Sequence, residues 1–221
     1  MSKFIDLTHV IAPSDALRKF SIEIINPETV NPNVIKLEDQ WYIMSNINMV
    51  SHIATHIESP YHVLRTGKDL SQISLDTLFG DAVMIDLSDL PAKSAISAES
   101  VKAAAEKAGG IKKGDIVICN LGYADHYNTE KYSESPYFTT EAINYLVQSG
   151  MKMMGVDAGG VEIPQSEEHV NHHALLSNDI PLIENVANLN AVKASRFKIY
   201  AFVLPVAGLE SFPLRVVAEV E

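Results

Sequence analysis

The stretch 139-TTEAINYLVQSGMKMMGVD-157 holds a capped helix, its stop and a strand in nineteen residues. Thr139 or Thr140 offers a hydroxyl to the first free amides, EAINYLVQS carries apolar residues at helical spacing, and Gly150 ends the helix. The run KMMGVD that follows is predicted as a strand. Upstream the order repeats: Ser97 caps VKAAAEKA, Gly109 and Gly110 stop it, and IVICNL reads as a strand. Before these lies another buried strand, AVMIDLS, just after Asp81. Strand and helix alternating in this way predict an α/β fold, with helices layered on a sheet.

Outward from this centre, KFIDL at 3–7 reads as a first short strand and 41-WYIMSNINMV-50 as a strand-like run. Residues 158–171 are polar and loop-like, and a short helix is predicted at 172–178. FKIYAFVLPV and PLRVVAEVE read as two late strands. With no repeat, low-complexity tract or long Pro/Gly/Ser linker, the chain is expected to be a single domain, 1–221.

Apolar residues make up 47% of the 221 and charged residues 20%, which predicts an ordinary globular protein. The formal charge of -11 repels phosphate backbones and argues against a nucleic-acid partner. No apolar run reaches the ~18 to 20 residues that span a bilayer, and MSKFID lacks the basic start of a secretory signal. A cytoplasmic protein with no membrane partner is expected. The one cysteine, Cys119, sits in an apolar strand and reads as a small buried hydrophobe rather than a nucleophile.

The chemistry concentrates at 51-SHIATHIESPYHV-63, where His52, His56, Glu58 and His62 fall on alternate positions although the chain has only eight histidines. In extended backbone, residues two apart point the same way, so three imidazoles and a carboxylate converge. A helix would spread the same four over about 160° of its surface, and Pro60 would cost it about 3 kcal/mol. Extended backbone is therefore expected. Imidazoles with a carboxylate form a ligand set for Zn²⁺ or another first-row divalent ion. A lone histidine is more often a core or surface residue, but close imidazoles without a cation resist being protonated together. A second patch, 172-HHALLSNDIPLIEN-185, sets Glu184 in an apolar run where a buried carboxylate needs a partner.

The stretch resembles the H-x-G-T-H-x-D-x-P-x-H signature of the metal-dependent cyclase-like hydrolases, a family that includes bacterial kynurenine formamidase and isatin hydrolase. Here it reads His52-Ile-Ala54-Thr55-His56-Ile-Glu58-Ser-Pro60-Tyr-His62. Ile5 to His9 resembles the family's opening, Asn120 to Tyr123 its T-G-W segment, and Gly155-Val-Asp157 its G-I-D strand end. His172 with Glu184 resembles its late ligand pair, and Leu204-Pro205 through Ala218 its closing strands. The resemblance implies a central β-sheet or barrel-like layer flanked by helices, of the swivelling β/β/α type, in homodimers or homotetramers. It implies one metal on His52, His56 and Glu58, a second on Glu58, His172 and Glu184, and His62 as catalytic acid/base. Zinc is expected first and manganese next, one or two ions per subunit.

Two departures stand in the motif itself: Ala54 replaces the glycine and Glu58 the aspartate, one methylene longer. The P-x-W-P-G-D type segment is missing, its place taken by Ser14 to Phe20. His169 and His173 flank His172 and are alternative ligands. Thr55 is expected to orient a ligand or touch a small-molecule substrate, or else to bond backbone. Asp157 is expected either to partner a ligand imidazole or to cap a turn.

The activity expected is hydrolysis of a small amide, cyclic amide or lactone at a carbon-nitrogen or ester bond, by metal-activated water. One rival is a non-haem iron oxygenase using His56, Glu58 and His172 as a 2-His-1-carboxylate set. Another is a catalytically silent metal-binding homologue.

Overall fold

In chain order the described residues form β1 (Lys3–Asp6), β2 (Phe20–Ile25), β3 (Met44–Met49), β4 (His56–Glu58), β5 (Phe79–Asp86) and β6 (Ala95–Ile96). Helix α1 (Ala98–Lys107) leads to β7 (Ile116–Asn120) and β8 (Tyr137–Phe138), and α2 (Thr140–Gln148) to β9 (Met153–Val156). After α3 (Val170–Leu176) come β10 (Leu182–Glu184), β11 (Arg196–Tyr200), β12 (Ser211–Pro213) and β13 (Val217–Val220). This computed structural model describes residues 2–14, 18–166 and 168–221. Residues 15–17 of the divergent Ser14 to Phe20 segment, Met1 of the leader reading and Glu167 of the 158–171 loop fall outside them.

Nine strands make one sheet in the order β1-β13-β11-β5-β7-β9-β10-β4-β12. Its centre, β5-β7-β9-β10, is parallel, and antiparallel strands extend it on both sides. Parallel strands are covered on both faces, which is why IVICN and MMGV are buried at every residue. Alternation then divides them between two apolar clusters. Val117 and Cys119 join Val101 of α1, Ile143 and Leu146 of α2 and Leu175 of α3. Ile116 and Ile118 face the other way, among Ile5, Leu70, Phe197, Ile199 and Ala218. Each fully buried Ile or Leu contributes about 1.5–3 kcal/mol, so the two clusters fix the sheet on which the site stands.

The expected caps form. Ser97 Oγ accepts the Ser100 amide at 3.2 Å, Thr139 Oγ1 accepts the Ala142 amide at 3.2 Å, and Gly150 (φ 77°) leaves α2 in the left-handed conformation. Cys119 is fully buried, and burial with the nearby Asp157 charge pushes its thiol far above the ordinary range.

Three expectations change. The 41–50 run is a strand only at Met44–Met49, paired with β2 in a separate hairpin that leaves Ile22, Ile24 and Ile47 exposed. The late run FKIYAFVLPV is a strand only to Tyr200, and PLRVVAEVE is interrupted between β12 and β13. The 52–62 stretch is extended only at His56–Glu58. A bend precedes it at Ala54 (φ 52°), and Pro60, whose ring presets φ, begins a 3-10 turn over Pro60–His62.

Candidate metal centre

Strand β4 lies between β10 and β12, so the site begins as a register. His56 stands opposite Glu184 and Pro213, and Glu58 opposite Leu182 and Ser211. Paired residues on neighbouring strands share a face, so His56, Glu58 and Glu184 point together while Ile57 and Ile183 enter the apolar cluster behind them. His52 returns from the bend before the strand and His62 from the 3-10 turn after it. The ring centroids of His52 lie 5.0 Å from His56 and 4.6 Å from His62. His172 comes from the first turn of α3, 5.8 Å from His62 centroid to centroid.

Glu58 is the hub. Its Oε1 is 2.9 Å from His52 Nδ1, 3.5 Å from His56 Nε2 and 4.0 Å from His62 Nε2, while Oε2 is 3.3 Å from His172 Nε2. Glu184 spans the same gap, Oε2 3.4 Å from His56 Nε2 and Oε1 3.4 Å from His172 Nε2. The structure thus gathers His52, His56, Glu58, His62, His172 and Glu184. His172 is buried, whereas its alternatives His169 and His173 are exposed.

Backbone holds these side chains in place. The Ala54 carbonyl faces His56 Nδ1 at 2.9 Å and accepts the Asn185 amide group at 3.1 Å, and the Ala54 N–H donates to Tyr127 Oη at 3.0 Å. Thr55 takes the backbone role: its hydroxyl donates to the Asn185 carbonyl at 2.6 Å and accepts the His9 amide at 2.9 Å. Asp157 caps a turn, accepting the amides of Leu121, Tyr123 and Ala124 at 2.7, 2.8 and 3.2 Å.

Two residues absent from the sequence reading complete the surroundings. Glu162 Oε1 lies 2.8 Å from His172 Nδ1, and Glu210 Oε1 lies 3.5 Å from His52 Nε2 while accepting the Ser51 hydroxyl at 2.5 Å. Neither had a periodic or motif signal: Glu210 comes from a loop distant in sequence, and Glu162 from an irregular loop ten residues before His172.

The electrostatics favour positive charge. Burial alone pushes His56 down, but Glu184 and Glu58 outweigh it and bring the ring up to about 10. For His172, Glu162, Glu184 and Glu58 outweigh burial and bring it up to about 12. Burial raises Glu58 and Glu184, and the imidazoles more than reverse this. His62 goes the other way: burial holds it below its ordinary value, with His52 and His172 adding to that and the Glu58 charge only partly opposing.

A divalent ion fits this donor set. His56 Nε2 and Glu58 Oε2 are buried without a hydrogen-bond partner, which is costly unless a cation satisfies both. The separations of 3.3–3.5 Å among His56, Glu58, His172 and Glu184 are long for hydrogen bonds. They match the edges of a coordination shell with bonds of about 2.0–2.2 Å, whose ligand atoms lie about 3.4 Å apart. Among the described residues His52, His56 and Glu58 form one cluster able to hold an ion, Glu58, His62 and His172 another, and Glu162, His169 and His172 a third, the last with an exposed histidine.

A cavity of about 170 Å³ opens onto the rings of His52, His56 and His62, with Tyr127 and Tyr132 opposite and Arg18 also lining it. A larger one of about 460 Å³ lies elsewhere, between Asp81, Lys112, Arg196 and Glu219. It contains no histidine, and its Arg196 and Lys198 are already paired with Asp115 and Asp81. The chemistry belongs to the smaller cavity.

The Cyclase family model matches residues 5–163. The kynurenine formamidase of Bacillus cereus is 25% identical over 206 residues, covering 93% of this chain and 88% of that protein. That of Salinibacter ruber is 24% identical over 216 residues, covering 96% and 95%. The solved isatin hydrolase A of Labrenzia aggregata, bound to benzyl benzoate, superposes with a TM-score of 0.81 at 22% identity, covering 99% and 94%. With the family model spanning most of its length, the chain belongs to the Cyclase family.

Proposed function

We propose that this chain is a metal-dependent hydrolase that opens or cleaves a small amide, cyclic amide or lactone. The observation that carries the reading is Glu58, whose Oε1 faces His52 and His56 while its Oε2 faces His172. His52, His56 and Glu58 would hold one ion, and Glu58, His172 and Glu184 a second, zinc first and manganese next for this nitrogen and oxygen set. Such an ion supplies a Lewis acid that polarises a carbonyl and makes water acidic enough to attack near neutral pH.

The chain's own residues supply the rest. His62, lowered by burial and 28% exposed in its side chain, is neutral at neutral pH. Its imidazole takes a proton from the attacking water and returns it to the leaving nitrogen or oxygen. The Tyr132 hydroxyl, raised to about 12 by burial and by Glu184, stays protonated and can donate a hydrogen bond into the cavity. A cavity of about 170 Å³ falls below the ~300–1,000 Å³ of sites for drug-sized ligands and favours a compact substrate. The relatives named kynurenine formamidase and isatin hydrolase suggest the carbon-nitrogen bond of a formamide or a cyclic amide.

The oxygenase reading accounts for less. It uses His56, Glu58 and His172 but gives Glu184 and His62 no task, and a mixed sheet with a parallel centre flanked by helices is unlike an all-β jelly roll. The test is metal analysis of protein purified without chelators, then assay of formanilides, cyclic imides, isatin and lactones with added Zn²⁺ or Mn²⁺. Turnover that disappears on chelation and returns with metal supports the proposal. A metal-loaded protein that hydrolyses none of the panel overturns it and favours the silent homologue.

We further propose that the enzyme works in the cytoplasm and assembles as a homodimer or homotetramer. Among the described residues no helix is long and apolar enough to cross a membrane. An isolated two-stranded hairpin is marginal in water, and β2-β3 leaves Ile22, Ile24 and Ile47 more than half exposed. Light scattering on the purified chain should give twice or four times 24.2 kDa; a monomer would sink this part.

A further inference from the structure

We infer that Glu162 is a positioning residue of the metal centre, holding His172 with its Nδ1 as the donor and its Nε2 turned toward Glu58 and Glu184. The inference rests on the metal-dependent reading above and deepens it. Glu162 lies in the loop between β9 and α3, ten residues before His172. One oxygen, Oε1, takes two bonds from the same residue: the His172 backbone amide at 2.7 Å and ring Nδ1 at 2.8 Å. A grip on both backbone and ring fixes the rotamer of the imidazole as well as the start of the helix. With Nδ1 so engaged, Nε2 is left 3.3 Å from Glu58 Oε2 and 3.4 Å from Glu184 Oε1, in the gap where an ion fits.

A helix cap alone does not account for this residue. The cap position of α3 is occupied by His169, which adopts a left-handed backbone (φ 45°) and gives no side-chain cap. A serine or aspartate there would satisfy a free amide at low cost. Glu162 instead reaches in from the loop, and its Oε2 is buried without a hydrogen-bond partner. Leaving half of a carboxylate unsatisfied is unfavourable, and a neutral amide would satisfy the helix equally well. The partner that gains from full negative charge is the imidazole, because a carboxylate on Nδ1–H fixes the tautomer and makes Nε2 a stronger ligand.

The contrast with His56 sharpens the point. That ring faces a backbone carbonyl, Ala54 O at 2.9 Å, where His172 faces a carboxylate. The two ligands are therefore unequal in donor strength. The ion that His172 shares with Glu58 and Glu184 depends on Glu162, and the ion on His52, His56 and Glu58 does not.

Glu162→Gln and Glu162→Ala test this, with Zn²⁺ stoichiometry and dissociation constants measured by chelator competition and thermal midpoints recorded on the same metal-free samples. Removing such an outer partner costs about 10- to 100-fold in metal affinity. Glu162→Gln, which keeps an oxygen for both N–H groups, should weaken the His172 ion about tenfold, with a metal-free midpoint that falls less than that of Glu162→Ala. Glu162→Ala should weaken it further, and neither should move the His52/His56 ion. If Glu162 merely caps α3, Glu162→Gln will bind Zn²⁺ like the wild type, and the inference is overturned. If both ions weaken in step, selective positioning is overturned as well. A wild-type chain that takes up no ion removes the metal-dependent reading and this inference with it, whereas a loaded wild type with an indifferent Glu162→Gln removes this inference alone.

Discussion

His56 and Glu184 sit directly across from each other on antiparallel strands β4 and β10, Nε2 3.4 Å from Oε2. Residues 128 apart in the chain become ligands to a common gap through one register. A one-residue slip of β4 would send His56 and Glu58 into the apolar cluster and bring Ile57 into the site. The core behind Ile57 and Ile183 thus supports the metal centre, since burying those two residues rules out a one-residue slip.

The role of His62 gives a first expectation. It is the outlying imidazole, 4.0 Å from the Glu58 oxygen that His52 and His56 approach more closely. His62→Ala should lower hydrolysis by about 10² to 10⁴ while metal content stays within twofold of wild type, as when a general acid/base is lost and the ligands remain. Turnover and bound metal measured on one preparation decide it. Loss of metal in proportion to rate would make His62 a ligand instead.

Gly67 supports the same residue from behind. A Cβ there would come within 2.6 Å of the Pro60 carbonyl carbon and oxygen and 2.8 Å of the Tyr61 nitrogen, all backbone. Backbone cannot step aside as a flexible side chain does, so Gly67→Ala must move the turn that carries His62. A loss of about 1–3 kcal/mol in urea unfolding is expected, with a fall in turnover larger than the fall in bound metal. A variant as stable and active as wild type would show that the turn does not set His62.

How far the sequence foretold all this differs by element. The helices, their Ser97 and Thr139 caps and the buried parallel strands were legible because caps and apolar runs are local signals. The convergence of His52 and His62 was legible as a pattern and wrong as a conformation: Ala54 and Pro60 turn the chain where alternation predicts extension. Glu162 and Glu210 were invisible. Glu210 meets His52 from far along the chain, and Glu162 meets His172 across a ten-residue loop with no regular period, so no local spacing records either contact.

Ala54 gives a third expectation. It holds φ 52° so that its carbonyl can meet both His56 and Asn185. The left-handed region costs a residue with a Cβ about 1–2 kcal/mol, and glycine avoids this at about 0.4–1 kcal/mol of added unfolded-state entropy. Ala54→Gly should therefore be stabilising by up to about 1 kcal/mol with metal binding retained, and Ala54→Val destabilising by more than 1 kcal/mol. Urea midpoints for the pair test it; a Gly variant less stable than the alanine would mean that the bend is not strained.

Protons and metal compete for the same gap, and the signs give a last expectation. His56 and His172 are raised from 6.5 to about 10 and about 12 in the folded, metal-free chain. Their stabilisation is complete below pH 6.5 and fades as pH rises toward those values. Glu58 and Glu184 are lowered from 4.5, so their stabilisation is present above that pH and fades as acid protonates them. From these four groups metal-free protein gains most between about pH 4.5 and 6.5, while His62, lowered from 6.5, opposes the gain toward the acid side. An ion needs the lone pairs those protons occupy, so its binding should strengthen as pH rises and release about two protons per subunit at pH 7. Thermal midpoints across pH 4–9 with and without Zn²⁺, and an indicator-dye titration of proton release, measure both. Zinc uptake at pH 7 with no proton released would mean that the two rings are already neutral before the ion arrives.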